Sequence, residues 1–232
     1  MVNKNKLIIA HRGAVSPARE NTLEAFQKAI DLRADMIEFD VRRTQDGRYV
    51  IHHDPHIAGK PLDAMTFREV REIARSMGFH APELEEVLVL TRGRIGLDIE
   101  LKEEGYEREI VQLVGGILAD ADFIVSSFHA GCLARVKQCR AAVRTGLIFN
   151  DAAALTTDIL EGDTDWLLPV QSLAAGELLE RMKRAGKKIA VWTVNDTQQM
   201  KRLLDDDRIE GIITDRTDAA VAVREGQEAP NG

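Results

Sequence analysis

The sequence predicts an α/β protein, a (β/α)8 TIM barrel with a β-hairpin extension of the second strand. Eight short apolar runs alternate with helical patterns, an order of elements typical of parallel α/β folds. Such alternation gives parallel strands joined by right-handed crossovers. The length of 232 residues suits one barrel of this kind. Eight units therefore favour a closed barrel over an open doubly wound sheet.

The predicted strands are short runs rich in apolar and β-branched residues. They are residues 7–10, 36–41, 95–101, 123–128, 145–149, 166–169, 188–194 and 211–214. A ninth strand, residues 48–53, follows a tight turn after the second one. A connection this short makes it antiparallel, so we expect it to extend the second strand without joining the barrel ring.

The predicted helices lie between these runs, at residues 22–32, 66–76, 84–91, 106–119, 131–141, 152–160, 174–185 and 197–205. The first has a clear start, because Asn21 with Glu24 three positions later matches a capping box. No linker rich in Gly, Pro or Ser interrupts the pattern. We therefore expect one domain, residues 1–223, and a flexible C-terminal tail, residues 224–232.

A turn signal at Asp46-Gly47 sets the register expected for the hairpin. Counting outward from a two-residue turn places Asp40 opposite His53, with Glu38 on the same face as Asp40. His52 would then face the other way, and a slip of one residue would present it in place of His53. The segment could also be a solvated strand face that carries charges.

Charge and composition limit the function classes. A formal net charge of −7 argues against a broad nucleic-acid or anionic-membrane surface. No run is long and apolar enough to cross a bilayer or to act as a secretory signal, so we expect no stable membrane insertion and a cytoplasmic protein. Cys132 and Cys139 have no metal-site spacing and are interpreted as reduced. The pattern leaves the oligomeric state open.

Reactive residues gather where predicted strands end, and such ends surround the active-site mouth of this barrel type. The first strand ends in His11 and Arg12, and the third ends in Glu100 and Lys102. With Glu38 and Asp40, Glu100 would give a hard cation an oxygen shell that suits Mg²⁺ or Ca²⁺. No HxH motif or cysteine pair favours zinc.

Two histidines near that mouth, His11 and His53, suit proton transfer near neutral pH. Arg12 and Lys102 would add positive charge against a phosphoryl centre. Each residue alone has a structural alternative. A single strand-end histidine is often structural, Arg12 could pair with a carboxylate, and Lys102 could simply neutralise Glu100. Their shared position at one mouth favours the functional interpretation.

These motifs together resemble the glycerophosphodiester phosphodiesterase family. They are IIAHRG (8–13), ENTLEAF (20–26), IEFDV (37–41), DGRYVIHHDP (46–55), PELEEVL (82–88), DIELK (98–102), SSF (126–128), WTVN (192–195) and GIITD (211–215). The resemblance runs nearly end to end. It implies the barrel fold, a divalent cation, and hydrolysis of a small glycerophosphodiester to glycerol 3-phosphate and an alcohol.

The resemblance also implies roles for the matching positions: His11 and His53 as the acid–base pair, Glu38, Asp40 and Glu100 as metal ligands, and Arg12 and Lys102 as phosphate contacts. Trp192 would line the glycerol or alcohol side, or pack at the barrel mouth. The segment after Asp54 departs from the family, because residues 56–60 replace an arginine-bearing turn and the cap insertion is short. Leaving-group selectivity therefore stays open, as do a lysophospholipase D-type activity and a non-catalytic phosphate-binding barrel.

Overall fold

The computed structural model describes residues 5–15 and 18–229 and confirms the predicted barrel. Eight parallel strands close into a ring in the order β1-β2-β6-β7-β8-β9-β10-β11, and β11 pairs with β1. The strands are β1 (Leu7–His11), β2 (Met36–Arg43), β3 (Tyr49–Ile51), β4 (His56–Ile57), β5 (Lys60–Pro61), β6 (Gly96–Leu101), β7 (Phe123–Ser127), β8 (Arg144–Phe149), β9 (Trp166–Pro169), β10 (Lys188–Val191) and β11 (Gly211–Thr214).

Helices surround this ring. They are α1 (Leu23–Asp31), α2 (Phe67–Ser76), α3 (Leu84–Thr91), α4 (Glu107–Gly115), α5 (Ala130–Cys139), α6 (Thr157–Glu161), α7 (Gly176–Arg184), α8 (Thr197–Asp205) and α9 (Thr217–Glu225). None of these described helices combines the length and the apolar character needed to span a membrane.

The two faces of each strand have different neighbours. Outward side chains such as Phe39 and Ile99 pack against the helices in the main core. Inward side chains fill the lower barrel with an apolar plug that includes Ile9, Ile124 and Trp166. The strands are therefore apolar on both faces except near their carboxyl ends, where the inward positions become charged.

The hairpin exists, but its predicted register is wrong by one residue. β3 pairs antiparallel with β2 so that Val41 lies opposite Ile51, and the His52 amide donates to the Asp40 carbonyl at 3.0 Å. The turn is longer than predicted because Thr44 N–H bonds to the Arg48 carbonyl, which leaves three residues in the loop. Gly47, at φ +78°, supplies the left-handed position of that loop. His53 therefore lies beyond the ladder.

The start of α1 differs from the predicted capping box. Thr22 is the N-cap, and its hydroxyl accepts from the Ala25 amide. Asn21 instead has φ +55° and donates from Nδ2 to Asp40 Oδ2 at 2.7 Å. Asparagine and threonine are both good N-caps. Asn21 bonds to Asp40 inside the barrel, so Thr22 caps the helix.

The last helix, α9, was not predicted. It includes the first two residues of the expected tail, residues 224–232. Its buried face consists of Thr217, Ala219, Ala220 and Ala222, and this small-residue face gives a weak apolar period. The helix continues through Arg224 to Glu225 and ends at Gly226 in the left-handed conformation. Residues 230–232 of the expected tail lie outside the described residues.

The short insertion between β3 and α3 has an apolar core of its own. The two-stranded ribbon β4–β5 and helix α2 form most of it. Ile57, Leu62, Phe67 and Val70 pack together beneath Val50 of β3. The predicted helix at 66–76 therefore belongs to this insertion, and α9 is the eighth helix of the barrel.

Candidate active site

Strand pairing brings the predicted residues to one mouth of the barrel. His11 at the end of β1 lies beside Glu38 of β2. Asp40, two residues farther along β2, lies beside Glu100 of β6. Positions separated by two residues share a face, so all these side chains point into the barrel.

Three carboxylates form a buried cluster there. One oxygen from each of Glu38, Asp40 and Glu100 lies within 4.8 Å of the others. Burial, with repulsion from Asp40 and Glu100, raises the pKa of Glu38 well above its usual value. Burial and the Asp40 charge raise the pKa of Glu100 to about 7. Closely placed carboxylates of this kind favour a proton or a cation between them.

Asp40 is the anionic member of the cluster. Burial would raise its pKa, but Lys102 and Arg12 lower it below the usual value. Lys102 Nζ lies 2.8 Å from Asp40 Oδ1 and 2.6 Å from Glu100 Oε1. Arg12 Nε lies 3.3 Å from Asp40 Oδ2. The two predicted phosphate contacts therefore also hold the carboxylates in position.

A left-handed turn after β1 places Arg12. Arg12 has φ +55° and Gly13 has φ +90°, and the Arg12 amide donates to Glu38 Oε2 at 2.9 Å. A Cβ on Gly13 would lie 2.7 Å from the Cβ of Ala25, so helix α1 leaves space only for glycine. The guanidinium also donates to Glu20 at 3.0 Å. The turn thus directs both the backbone amide and the guanidinium of Arg12 at the carboxylate cluster.

His11 belongs to a chain of hydrogen bonds. Its Nδ1 lies 2.6 Å from Asp215 Oδ1, and Asn195 Nδ2 donates to Asp215 Oδ2 at 2.6 Å. Burial would raise the pKa of Asp215, but the bonds to His11 and Asn195 lower it. A carboxylate only accepts, so His11 Nδ1 carries the proton. Nε2, 3.9 Å from Glu38 Oε2, is the nitrogen that faces the cluster.

His53 reaches the same mouth from beyond β3. Its Nδ1 lies 2.8 Å from Asp54 Oδ1, and this bond lowers the pKa of Asp54. Arg42 fixes the backbone by donating from Nε to the His53 carbonyl at 2.7 Å. His52 is half-buried and its Nε2 is directed at the His56 carbonyl. His53 therefore faces the site although the observed register places His52 opposite Asp40.

The side chains surround a cavity of about 200 Å³. All the predicted site residues except Asp40 line it, namely His11, Arg12, Glu38, His53, Glu100, Lys102 and Trp192. Four further residues complete the wall: Asp98, Phe128, Ile148 and Ile213. Trp192 donates from Nε1 to the Leu168 carbonyl at 2.7 Å and meets the ring of Phe128 edge-on. One side of the cavity is thus charged and the other is apolar.

The donor set fits a hard divalent cation. Glu38 Oε1 is buried without a hydrogen-bond partner among the described residues. Three carboxylates face two full cations, Arg12 and Lys102, so one negative charge is uncompensated when all three are ionised. A divalent cation would reverse that sign and match a phosphodiester monoanion. Oxygen-only ligands suit Mg²⁺ and Ca²⁺ alike.

Several polar neighbours were not predicted. Asn21 contacts Asp40, and Asp215 with Asn195 contacts His11. Asp215 and Asn195 follow two predicted strands, so their position at strand ends was the available signal. Asp98 is 1% exposed, and burial raises its pKa to about 7 while Ser126 opposes the shift. Asp98 lies inside the predicted third strand, two residues before Glu100, and not at its end, so its position gave no signal of a functional role.

Comparisons with known proteins identify the family. The chain matches the model of the glycerophosphoryl diester phosphodiesterase family over residues 11–219. A glycerophosphodiester phosphodiesterase of Bacillus altitudinis is 30% identical, with 94% of this chain and 98% of that protein covered. One from Caldanaerobacter subterraneus subsp. tengcongensis is 29% identical over 95% of this chain and 98% of its own.

A solved structure shares the fold. The phosphodiesterase of Oleispira antarctica, in complex with its product sn-glycerol-3-phosphate, aligns with a TM-score of 0.85. It is 22% identical, and the alignment covers 94% of this chain and 96% of that one. The family model and the relatives, which cover nearly the whole chain, show that this protein belongs to the glycerophosphoryl diester phosphodiesterase family.

Proposed function

We propose that this protein hydrolyses glycerophosphodiesters to sn-glycerol 3-phosphate and an alcohol, using a divalent cation and the pair His11 and His53. One observation carries the proposal: two histidines, each hydrogen-bonded to an aspartate, border the same small cavity as two carboxylates of the acidic cluster and two cations. The family membership and the product bound by the Oleispira antarctica relative support the substrate class.

Charge at the mouth binds and orients the phosphodiester. Arg12 and Lys102 present positive charge to the non-bridging oxygens, where it stabilises the negative charge that develops in the transition state. Glu38, Asp40 and Glu100 would hold the cation, which when bound supplies further positive charge opposite the phosphoryl oxygens. Mg²⁺ and Ca²⁺ both suit this ligand set.

Proton transfer is assigned to the two imidazoles. Because Nδ1 of each is bonded to a carboxylate, Nε2 is the atom that exchanges a proton. One histidine takes the proton of the nucleophile and the other gives a proton to the departing alkoxide. The nucleophile is water or the neighbouring glycerol hydroxyl, and the second route passes through a cyclic phosphate. Phe128 and Trp192 contact the carbon skeleton of an esterified alcohol.

The test is an assay of the purified protein with glycerophosphocholine, glycerophosphoethanolamine and a lysophospholipid. Release of glycerol 3-phosphate and free alcohol from the first two is the expected result. His11→Ala and His53→Ala should each reduce kcat by about 10²–10⁴-fold. His52→Ala is the matched control, because His52 is the chain neighbour of His53 but does not line the cavity. Full turnover in the double variant His11→Ala/His53→Ala would contradict the acid–base assignment.

Metal dependence is tested in a separate experiment. Chelation should abolish turnover, and Mg²⁺ or Ca²⁺ should restore it to the wild-type protein. Preferred turnover of the lysophospholipid would favour a lysophospholipase D-type activity. Binding of glycerol 3-phosphate with no turnover of any substrate would favour a phosphate-binding barrel.

A further inference from the structure

Asp98 is a fourth acidic residue inside the barrel, and neither the cation cluster nor the proton transfer uses it. It lies on β6 two residues before Glu100, so its side chain shares the inner face with that ligand. Its neighbours across the sheet are Glu38 of β2 and Ile124 of β7. Its oxygens are not among those that converge within 4.8 Å. Asp98 therefore marks the level at which the apolar plug gives way to the charged mouth.

One oxygen of this carboxyl group lacks a hydrogen-bond partner among the described residues. Asp98 is 1% exposed, it lines the cavity, and its Oδ1 makes no hydrogen bond within residues 5–15 and 18–229. Ser126, on the adjacent strand, is fully buried and lowers the pKa of Asp98 by hydrogen bonding, although its Oγ makes no well-aligned hydrogen bond among those residues. A buried polar group without a partner costs free energy, so such groups in native proteins call for a ligand or a functional reason.

Two other carboxylates beside the barrel strands have hydrogen-bond and ion-pair partners. Asp35 Oδ2 accepts from the Ile8 amide at 2.7 Å and pairs with Arg224. Asp165 Oδ2 accepts from the Thr145 amide at 2.8 Å and lies 2.7 Å from Lys137 Nζ. These two residues bond to backbone amides near the amino-terminal ends of neighbouring strands and so have a structural role. Asp98 has neither a backbone amide nor a cation as a partner among the described residues, which argues against a structural role.

We propose that Asp98, which Ser126 supports from the adjacent strand, binds a hydroxyl of the glycerol moiety at the floor of the cavity and so selects phosphodiesters of a short polyol. The inference rests on the proposed function and specifies which substrate group the floor recognises. The cavity of about 200 Å³ is smaller than the roughly 300–1,000 Å³ of pockets for drug-sized ligands, so its floor suits a compact group. Ile148 and Ile213 would border the polyol carbons while Asp98 pairs with its hydroxyl.

A site built to pair with a hydroxyl rejects an analogue that lacks it, because its own buried polar groups then stay unpaired. The matched substrates are glycerophosphocholine and propylphosphocholine, which share the leaving group and differ only in the two hydroxyls. The wild-type protein should prefer the first by at least about 10²-fold in kcat/KM. Asp98→Ala should reduce that preference at least about tenfold, mainly through KM, and Asp98→Asn and Ser126→Ala should reduce it less.

Binding gives a second readout that needs no turnover. Thermal stabilisation by sn-glycerol 3-phosphate should exceed that by propyl phosphate, and Asp98→Ala should remove the difference. Asp165→Asn, which changes a partnered carboxylate at the other end of the barrel, should leave the preference and the difference unchanged. If Asp98→Ala does not fold, Asp98→Asn and Ser126→Ala carry the test.

The outcomes separate the two proposals. An unchanged preference and an unchanged binding difference in the folded Asp98 and Ser126 variants would overturn the inference, even where absolute activity falls. A wild-type protein that does not hydrolyse glycerophosphocholine would overturn the proposed function. The binding comparison would still decide whether Asp98 recognises the polyol.

Discussion

The two site histidines differ in how firmly they are held. His11 has a side chain 18% exposed, and its partner Asp215 is fixed by Asn195. His53 is 38% exposed, and its partner Asp54 is 71% exposed. A solvent-exposed ion pair contributes little, whereas a partly buried charged hydrogen bond orients its partner strongly. The proton carried by His11 is thus fixed by the protein, and that of His53 is fixed more weakly.

Asp215→Asn should therefore harm catalysis more than Asp54→Asn. The amide does not stabilise an imidazolium and can hold the wrong tautomer, so we expect kcat to fall by about 10²-fold. Asp54→Asn should cost less than about tenfold, because water can replace an exposed partner. The measurement is kcat against pH for both variants, since a positioning role shifts the profile. Equal losses with an unshifted profile would refute this account of Asp215.

The raised pKa values in the carboxylate cluster predict how stability depends on pH. Glu100 has a pKa of about 7 in the fold against an ordinary value of 4.5. The native state therefore binds the proton more tightly than the unfolded chain, and the metal-free protein should lose stability as pH rises through this interval. A cation needs deprotonated carboxylates, so its stabilising effect should grow over the same interval.

The experiment is thermal unfolding at about pH 5.5 and about pH 8, with a chelator and with Mg²⁺ or Ca²⁺. The metal-dependent rise in Tm should be larger at the higher pH. Glu100→Gln, which removes one titrating ligand, should weaken both the pH dependence and the metal effect. A metal effect that is the same at both pH values would count against a cation at these three carboxylates.

Two glycines show how the turns between secondary-structure elements depend on their surroundings. Gly13 at φ +90° and Gly47 at φ +78° are both left-handed, but only Gly13 is packed against a helix. A Cβ on Gly47 would meet only the Arg43 side chain at 3.7 Å, whereas one on Gly13 would lie 2.7 Å from Ala25. The β1–α1 turn therefore depends on its tertiary contact, and the hairpin turn depends only on local backbone geometry.

Gly47→Ala should cost about 1–2 kcal/mol of unfolding free energy, the price of a left-handed alanine. Gly13→Ala should cost a further 1–3 kcal/mol or so, because the added methyl overpacks against α1. It should also reduce turnover, since the turn aims the Arg12 amide at Glu38. Urea unfolding of both variants measures the difference. Equal costs would show that α1 yields to the extra methyl group.

The register of the hairpin is a property that the local sequence signal did not predict correctly. The Asp46-Gly47 signal predicted the turn and its antiparallel strands, and both are confirmed. It could not distinguish a two-residue loop from a three-residue one, because glycine supplies the left-handed position in each. Contacts with the insertion, such as the Gln45 amide to the Met65 carbonyl at 2.8 Å, accompany the longer loop. These contacts join residues far apart in sequence.

At the scale of the whole molecule, α9 connects the end of the chain to the first barrel turn. Arg224 pairs with Asp35 and donates to the Lys6 carbonyl at 3.0 Å, and its side chain is 11% exposed. Asp35 in turn receives the Ile8 amide at the start of β1. One charged pair therefore joins the last helix, the first strand and the loop before the second.

Arg224→Ala should lower the free energy of unfolding by roughly 1–3 kcal/mol, the usual value of hydrogen bonds to a charged group left without its partner. Arg202→Ala is the matched control, because its guanidinium donates to Gln199 on the exposed face of α8. That change should stay within about 0.5 kcal/mol. Denaturant unfolding measures both. A neutral Arg224→Ala variant would mean that residue 224 behaves as the tail first predicted from sequence.

The sequence by itself determined the eight alternating units, and with them the barrel and the mouth at which His11, Glu38, Asp40, Glu100 and Lys102 meet. Periodicity and strand ends are local properties, and the closed ring follows from them. Only the tertiary structure decided the hairpin register, the use of Asn21 to hold Asp40, the Asp215–His11 pair and the unpartnered Asp98. Each of these depends on which distant side chain satisfies a buried polar group, and no pattern within one segment carries that information.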